Sequence, residues 1–107
     1  MPEHYKIERT DRNIKPDKIL ADEMIHWGKI MGSLRMVPYV TEKGWAGNIG
    51  FREDDTIWVT PSGGVINDIR LEEIMGISKI DDRIVFCGHP KRKPTSEWEI
   101  YWDIFRE

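Results

Sequence analysis

The chain has 107 residues, of which 39% are hydrophobic, 10% aromatic and 33% charged, and its formal net charge at pH 7 is −3. This length fits one domain with its own core, and the balance of residues is that of a globular protein. No apolar run approaches the roughly 20 residues that a membrane-spanning helix needs, so we expect no membrane partner. A mildly acidic chain lacks the basic surface typical of nucleic-acid binding, so we expect no nucleic-acid partner.

The amino terminus and the single cysteine predict a cytoplasmic protein. Residues 1–14 are polar, without a hydrophobic period, and contain no apolar segment of a secretory signal. They predict an N-terminal arm, either frayed or packed on a neighbouring subunit, before a domain at 15–107. Cys87 alone excludes an intramolecular disulfide and a Cys-based zinc finger, and we expect it to be a small buried residue.

A helix is predicted over residues 15–35. Pro16 suits a first helical position, and Asp17 places a negative charge at the positive end of the helix dipole. Apolar residues recur at steps of three and four, which predicts a buried stripe of Leu20, Met24, Trp27, Ile30, Met31 and Leu34. Gly28 and Gly32, four residues apart, would let another backbone approach this helix closely.

Beyond the helix the chain changes to short β segments. Two hairpins are predicted, each around an acidic turn, from strands at 49–52, 56–60, 76–80 and 83–87. One or two helical turns follow the first hairpin at 68–75, where Ile69, Leu71 and Ile74 are expected to face inward. A final helix begins at Thr95-Ser96-Glu97 and runs to the last residue. Its apolar residues cover most of its circumference, which is typical of a helix buried on both sides.

Three turns combine small residues, exposed backbone N–H groups and short polar side chains: Gly47-Asn48, Ser62-Gly63 and Thr95-Ser96. Phosphate oxygens need several convergent donors, and a helix start such as Thr95-Ser96 also favours an anion. The structural alternative is that Ser or Thr caps a helix and that the Gly-rich turns are only turns. Glu97, one residue further on, either complements the helix dipole or serves as a general acid/base beside a phosphate ester.

The order and spacing of these segments resemble the class II aldolase/adducin family. The matching stretches are Gly47–Arg52, Trp58–Gly63 and Lys93–Glu97, and the resemblance covers residues 16–107. It implies an α/β fold with helices packed on a mostly antiparallel sheet, as a partial form of a three-layer α/β/α domain. It implies that Glu97 is the catalytic acid/base residue and that the phosphate of a ketose-type substrate binds to Asn48, Ser62, Gly63, Thr95 and Ser96.

The resemblance also implies a zinc ion that this chain is not expected to bind by itself. The family's ligands are a His-x-His pair after the Glu-bearing helix and a third His further on. The chain ends before that pair, and its own histidines, His4, His26 and His89, match none of these positions. We therefore expect no metal ligand and no cofactor in this chain, and zinc only if another segment completes the site. Two smaller departures are Gly50, where the family commonly has Ser, and Thr95, which replaces a Ser.

Three functional hypotheses follow. The chain is half of a zinc-dependent aldolase-type lyase, completed by a complementing C-terminal chain; open strand edges also favour a homo-oligomer. The alternative is a non-catalytic adducin-like binding or interaction module. The third is a truncated relic, against which the intact motifs argue. A neighbouring reading frame that starts with the His-x-His segment would favour the first.

Overall fold

The structure is a computed structural model in which the described residues are 6–12, 14–33, 39–40, 44–45, 48–63 and 66–105. The strands are β1 (Ile7–Arg9), β2 (Tyr39–Val40), β3 (Gly44–Trp45), β4 (Gly50–Glu53), β5 (Thr56–Val59), β6 (Met75–Ile80) and β7 (Arg83–Cys87). The helices are α1 (Lys18–Ser33) and α2 (Trp98–Phe105), with short 3₁₀ turns at Ile66–Asp68 and Leu71–Glu73. No helix in these ranges is long and apolar enough to cross a membrane.

Five of the strands form one mixed sheet in the order β1-β7-β6-β5-β4, and β2 pairs with β3 in a separate ribbon. The pairs β4–β5 and β6–β7 are the two predicted hairpins, both antiparallel, and β5 and β6 also pair antiparallel. Asp54 and Asp81, in the two hairpin turns, have φ angles of 53° and 54°. Asp is one of the few residues besides Gly that visits this left-handed region readily, which explains the acidic turns.

Strand β1 lies inside the predicted N-terminal arm and pairs in parallel with β7. This part of the arm is therefore a strand of the chain's own sheet, whereas the sequence predicted a frayed segment or a contact with a neighbouring subunit. Three residues are too few to show a strand period, and a parallel partner about 75 residues away leaves no local turn signal.

The two helices pack with alternate residues of β5, and alternate strand residues point to opposite faces of a sheet. On one face, Trp98 and Trp102 of α2 pack with Ile57, Val59, Met75, Ile77 and Phe86. On the other face, Ala21 and Met24 of α1 pack with Trp58, Ile69, Ile74 and Cys87. The α/β fold is thus confirmed, as is the burial of Cys87.

Helix α1 begins at Lys18, three residues later than predicted, because the Asp17 carboxylate caps it by accepting the Leu20 N–H at 3.0 Å. A Cβ atom built on Gly28 would lie 2.3 Å from the carbonyl oxygen of Ile66. The predicted close approach of another backbone is therefore confirmed at Gly28, where only a glycine leaves room for the first 3₁₀ turn.

The predicted apolar stripe of α1 is partly wrong. Met24 is buried, and Ile30 and Met31 are half-buried, but Leu20 is 37% and Trp27 51% exposed. Leu34 lies outside the described residues. The helix turns its small residues inward instead, namely Ala21, Gly28 and Gly32. The physical reason is the backbone contact at Gly28, which brings this part of the helix too close to Ile66 for a large side chain.

Apolar residues of two other elements are also exposed. Ile69 and Ile74 are buried as predicted, but Leu71 is 40% exposed. On α2, the predicted all-round burial holds for Trp98 and Trp102, while Ile100 and Ile104, one turn apart, are 54% and 64% exposed. The sheet covers only one side of α2, and the two isoleucines form an uncovered apolar strip on its other side.

The register of α1 can be tested with two matched truncations. Met24→Ala should lower the free energy of unfolding by about 2–5 kcal/mol, because it leaves a cavity in the core. Leu20→Ala should cost about 1 kcal/mol or less, because the leucine is partly in water already. Urea unfolding followed by circular dichroism measures both. Equal losses would contradict the orientation of α1.

Candidate functional site

Three segments that are far apart in the chain meet at Thr60, which follows β5 and is fully buried. Its N–H donates to the carbonyl of Ile49 at 3.1 Å, and its hydroxyl accepts the N–H of Ile49 at 3.3 Å. Its carbonyl accepts the N–H of Thr95 at 2.9 Å. Thr60 therefore joins the segment before β4, the turn after β5 and the segment before α2.

The contact between the second and third segments continues for two more residues. Pro61 and Pro94 form an antiparallel bridge, and the N–H of Ser62 donates to the carbonyl of Lys93 at 2.7 Å. Ser62, Lys93 and Ser96 line one hollow of about 230 Å³. The rest of its lining is apolar, namely Ile7, Phe86, Pro94 and Trp98. Its polar residues, two serines and one lysine, carry donor groups of the kind that suit an anion.

The other residues of the predicted cradle lie around this hollow rather than in it. Thr95 is buried, and its hydroxyl accepts the N–H of Glu97 at 3.4 Å, so this hydroxyl is engaged within the turn that precedes α2. Gly63 is exposed, has a φ angle of 72° and lines a neighbouring hollow of about 350 Å³. The structure thus brings Ser62 and Ser96 together, with Gly63 adjacent, and a single cradle of all five residues stays a prediction.

Asn48 lies beside Tyr101 of α2, whose hydroxyl donates a hydrogen bond to the Asn48 Oδ1. This bond occupies the amide oxygen, so the NH₂ group of Asn48 is the side that can donate to a ligand. Burial raises the pKa of Tyr101, and the negative charge of Glu97 raises it further. The exposed Glu97 carboxylate therefore influences the tyrosine that binds Asn48.

Gly50 is a departure from the pattern of the resembled family, and the packing around it gives the reason. A Cβ atom at this position would lie 2.9 Å from the carbonyl oxygen of Trp58 and 3.2 Å from Cδ1 of Tyr101. The Ser that the resemblance predicts here would therefore require the backbone at Trp58 to shift and would contact the Tyr101 ring tightly. The absence of a side chain at Gly50 leaves room for the Tyr101 ring, and the ring carries the hydroxyl to Asn48.

Sequence reasoning missed three residues that hold this site together: Thr60, Tyr101 and Arg92. Thr60 lies in one of the matching stretches. Its position as a polar residue at the end of a predicted strand is the only sequence signal for its role. Tyr101 lies in the predicted apolar helix, and the sequence assigns it no separate role. Arg92 donates to the carbonyl of Ser62 at 3.2 Å, and no sequence pattern points to this role.

The described residues do not fit the zinc site that the resemblance implies. In the part of the chain that the structure describes, no three His, Cys, Asp or Glu side chains lie close enough together to hold a metal ion. The Nδ1 atom of His89 accepts the N–H of Lys91 at 3.2 Å, and His26 packs edge-on against Trp27. His4 lies outside the described residues.

Comparison with known proteins gives a family and one curated relative. Residues 22–107 match the family described as Class II Aldolase and Adducin N-terminal domain. The chain is 40% identical over 65 residues to the 5-methylthioribulose-1-phosphate/5-deoxyribulose-1-phosphate aldolase of Rhodospirillum rubrum. That alignment covers 61% of this chain and 27% of the relative, so the chain spans about a quarter of the relative's length. No solved structure matches the chain.

The placement of Glu97 beside Tyr101 predicts a measurable titration. The pKa of Tyr101 is raised in the folded protein, so its contribution to stability is complete below the ordinary value near 10 and is lost as the pH rises through the raised pKa. The titration is read as absorbance at 295 nm, wild type minus Tyr101→Phe. Glu97→Gln should move it to lower pH by removing a neighbouring negative charge.

Glu23→Gln is the control, because it removes an exposed carboxylate from α1, on the other face of the sheet. It should leave the Tyr101 titration in place. A titration that does not respond to Glu97→Gln would mean that the Glu97 carboxylate does not face Tyr101.

Proposed function

Because the chain belongs to the class II aldolase/adducin family, we propose that it is the phosphate-binding and proton-transfer part of a sugar-phosphate aldolase. The observation that carries this proposal is the shared hollow of Ser62, Lys93 and Ser96, which come from two segments joined at Thr60. The curated relative is named for two ketose 1-phosphates. We extend the proposal to a substrate of that class.

In this proposal the phosphate group binds in that hollow. The hydroxyl groups of Ser62 and Ser96 donate to phosphate oxygens, and the ammonium group of Lys93 offsets a charge of about −1.5 to −2. The N–H of Gly63 and the NH₂ group of Asn48 are further donors at the edge of the site. The N–H groups of Ser62 and Thr95 already bind backbone carbonyls, so they take no part.

Glu97 is the proposed proton carrier. Aldol cleavage of a ketose 1-phosphate breaks a carbon–carbon bond, removes a proton from the hydroxyl group of the departing aldehyde and returns one to the carbon left behind. The Glu97 carboxylate, one residue before α2, can hold or release such a proton. A general acid/base contributes about 10²- to 10⁴-fold to a rate. Its exposure leaves it accessible to a bound substrate.

The metal ligands of such an aldolase would have to come from outside the described residues, since those residues form no metal site. We infer that a His-bearing segment, on a complementing chain or elsewhere in a longer protein, supplies them and completes the three-layer domain. The uncovered strip of Ile100 and Ile104 on α2 supports this, because an apolar helix face of this kind gains stability when it is covered.

Phosphate binding by the chain itself tests the first part of the proposal. Ser62→Ala and Ser96→Ala should each weaken the binding of inorganic phosphate about tenfold, because each removes a hydrogen bond to a charged group. Isothermal titration calorimetry measures the affinities. Ser33→Ala, at the far end of α1, is the control and should bind like wild type. Binding that is indifferent to both site variants would contradict the assignment of the hollow.

Catalysis tests the second part. The 107-residue chain alone should not cleave a ketose 1-phosphate, because the described residues hold no metal site. Cleavage should appear when the C-terminal part of the Rhodospirillum rubrum relative is added, and Glu97→Gln should then reduce it by about 10²- to 10⁴-fold. The control variant Glu23→Gln should leave the complemented cleavage unchanged. Cleavage by the chain alone would contradict the need for an added segment, and complemented activity indifferent to Glu97→Gln would remove the role of this residue.

A further inference from the structure

The side chain of Arg92 joins two turns of the chain. Its Nη1 atom lies 3.1 Å from Oε2 of Glu73, and its Nη2 atom donates to the carbonyl oxygen of Ser62 at 3.2 Å. The side chains of this ion pair are only 29% and 19% exposed, so the pair is largely shielded from water. An ion pair of this kind holds its geometry better than one on the open surface.

Both partners of the pair are held in turn by other groups. The second carboxylate oxygen of Glu73, Oε1, accepts the N–H of Arg70 at 3.0 Å, and this caps the second 3₁₀ turn. The carbonyl of Arg92 accepts a hydrogen bond from the guanidinium group of Arg9, which lies over the ring of Phe86. Arg92 is therefore fixed at its backbone and at the end of its side chain.

Ser62 is bound on both sides by two consecutive residues. Its N–H donates to the carbonyl of Lys93, and its carbonyl accepts from the side chain of Arg92. The carbonyl of Ser62 and the N–H of Gly63 belong to one peptide group. In a planar trans peptide these two groups point in opposite directions. Because Arg92 holds the carbonyl, the N–H of Gly63 is directed away from Arg92.

The conformation of Gly63 keeps the outer side of this turn open. Its φ angle of 72° is in the left-handed region, and a Cβ atom built there would meet no atom within 4 Å. Ser62 lines the same hollow as Lys93 and Ser96, and Gly63 lines the neighbouring one. The Gly63 N–H is thus carried by the peptide group whose carbonyl Arg92 holds, and the Ser62 hydroxyl is attached to the residue on the other side of that peptide.

We propose that Arg92 is a positioning residue for the Ser62–Gly63 turn, holding the peptide between these two residues so that the Gly63 N–H and the Ser62 hydroxyl face a bound phosphate. This rests on the proposed function. We assign Arg92 no direct contact with the phosphate, because it lines the neighbouring hollow and not the one lined by Ser62, Lys93 and Ser96, and because the Glu73 carboxylate offsets its charge. Its effect is on order in the turn, and through that order on affinity.

The test uses three variants of the full 107-residue chain. Arg92→Met keeps most of the side-chain length and removes the charge and both donors. Arg92→Lys keeps the charge but cannot donate as a fork to Glu73 and Ser62 together; it also serves if the methionine variant does not fold. Lys91→Met is the matched control, since it removes one positive charge from an exposed position in the same loop.

Two NMR readouts separate positioning from charge. The first, without phosphate, is the backbone ¹⁵N order parameter of Gly63, expected near 0.85 in wild type and Lys91→Met and below about 0.6 in Arg92→Met. The second is the affinity for inorganic phosphate, from the shifts of the Ser62, Gly63 and Ser96 amides. It should fall about tenfold in Arg92→Met and less than about twofold in Lys91→Met, with Arg92→Lys between wild type and Arg92→Met.

The outcomes distinguish this inference from the proposed function. A Gly63 order parameter that is the same in Arg92→Met and Lys91→Met would overturn the positioning role, whatever the phosphate affinities. Equal losses of affinity in these two variants would also overturn it, because they would show a general effect of charge. If wild type shows no phosphate-dependent shift while Gly63 loses order in Arg92→Met, the positioning stands and the proposed phosphate site fails.

Discussion

Thr60 uses its N–H, its hydroxyl and its carbonyl to bind two other segments, and the arrangement of the candidate site depends on these three hydrogen bonds. Its position at the end of β5 places it where the sheet stops and the turns begin. Because it is fully buried, each of these groups would be costly to leave unpaired. Ser62 and Ser96 come together because Thr60 accepts the Thr95 N–H, so the hollow depends on the core beneath it.

The sequence predicted the parts of the fold that have local signals. Both hairpins are predicted from their acidic turns, α1 from its apolar periodicity, and α2 from the helix start at Thr95-Ser96-Glu97 and the apolar residues that follow. The inward face of α1 was predicted wrongly at Leu20 and Trp27, because hydrophobic size alone suggested that large residues face the core. The approach of Ile66 to Gly28 reverses that expectation, and it depends on a contact between residues 38 positions apart. Strand β1 depends on a still longer-range pairing, with β7.

For the site, the sequence named residue types that suit phosphate but not the bonds that orient them. Ser62 and Ser96 line one hollow, whereas Thr95 is buried and its hydroxyl binds the N–H of Glu97, and the sequence alone does not separate these two uses of a hydroxyl. Tyr101 and Arg92 were missed because each acts through another residue: one holds the amide of Asn48, and the other holds a backbone carbonyl. Such roles follow from three-dimensional contacts and have no residue pattern of their own.

Thr60 holds the three segments of the candidate site together. Amide hydrogen exchange tests it most directly, because the N–H groups of Thr60, Ser62 and Thr95 are the donors of the connecting bonds. If these bonds are part of the cooperatively folded core, the three amides exchange as slowly as those of the central strand β6. Exchange at the rate of an unprotected peptide, while β6 stays protected, would contradict the account.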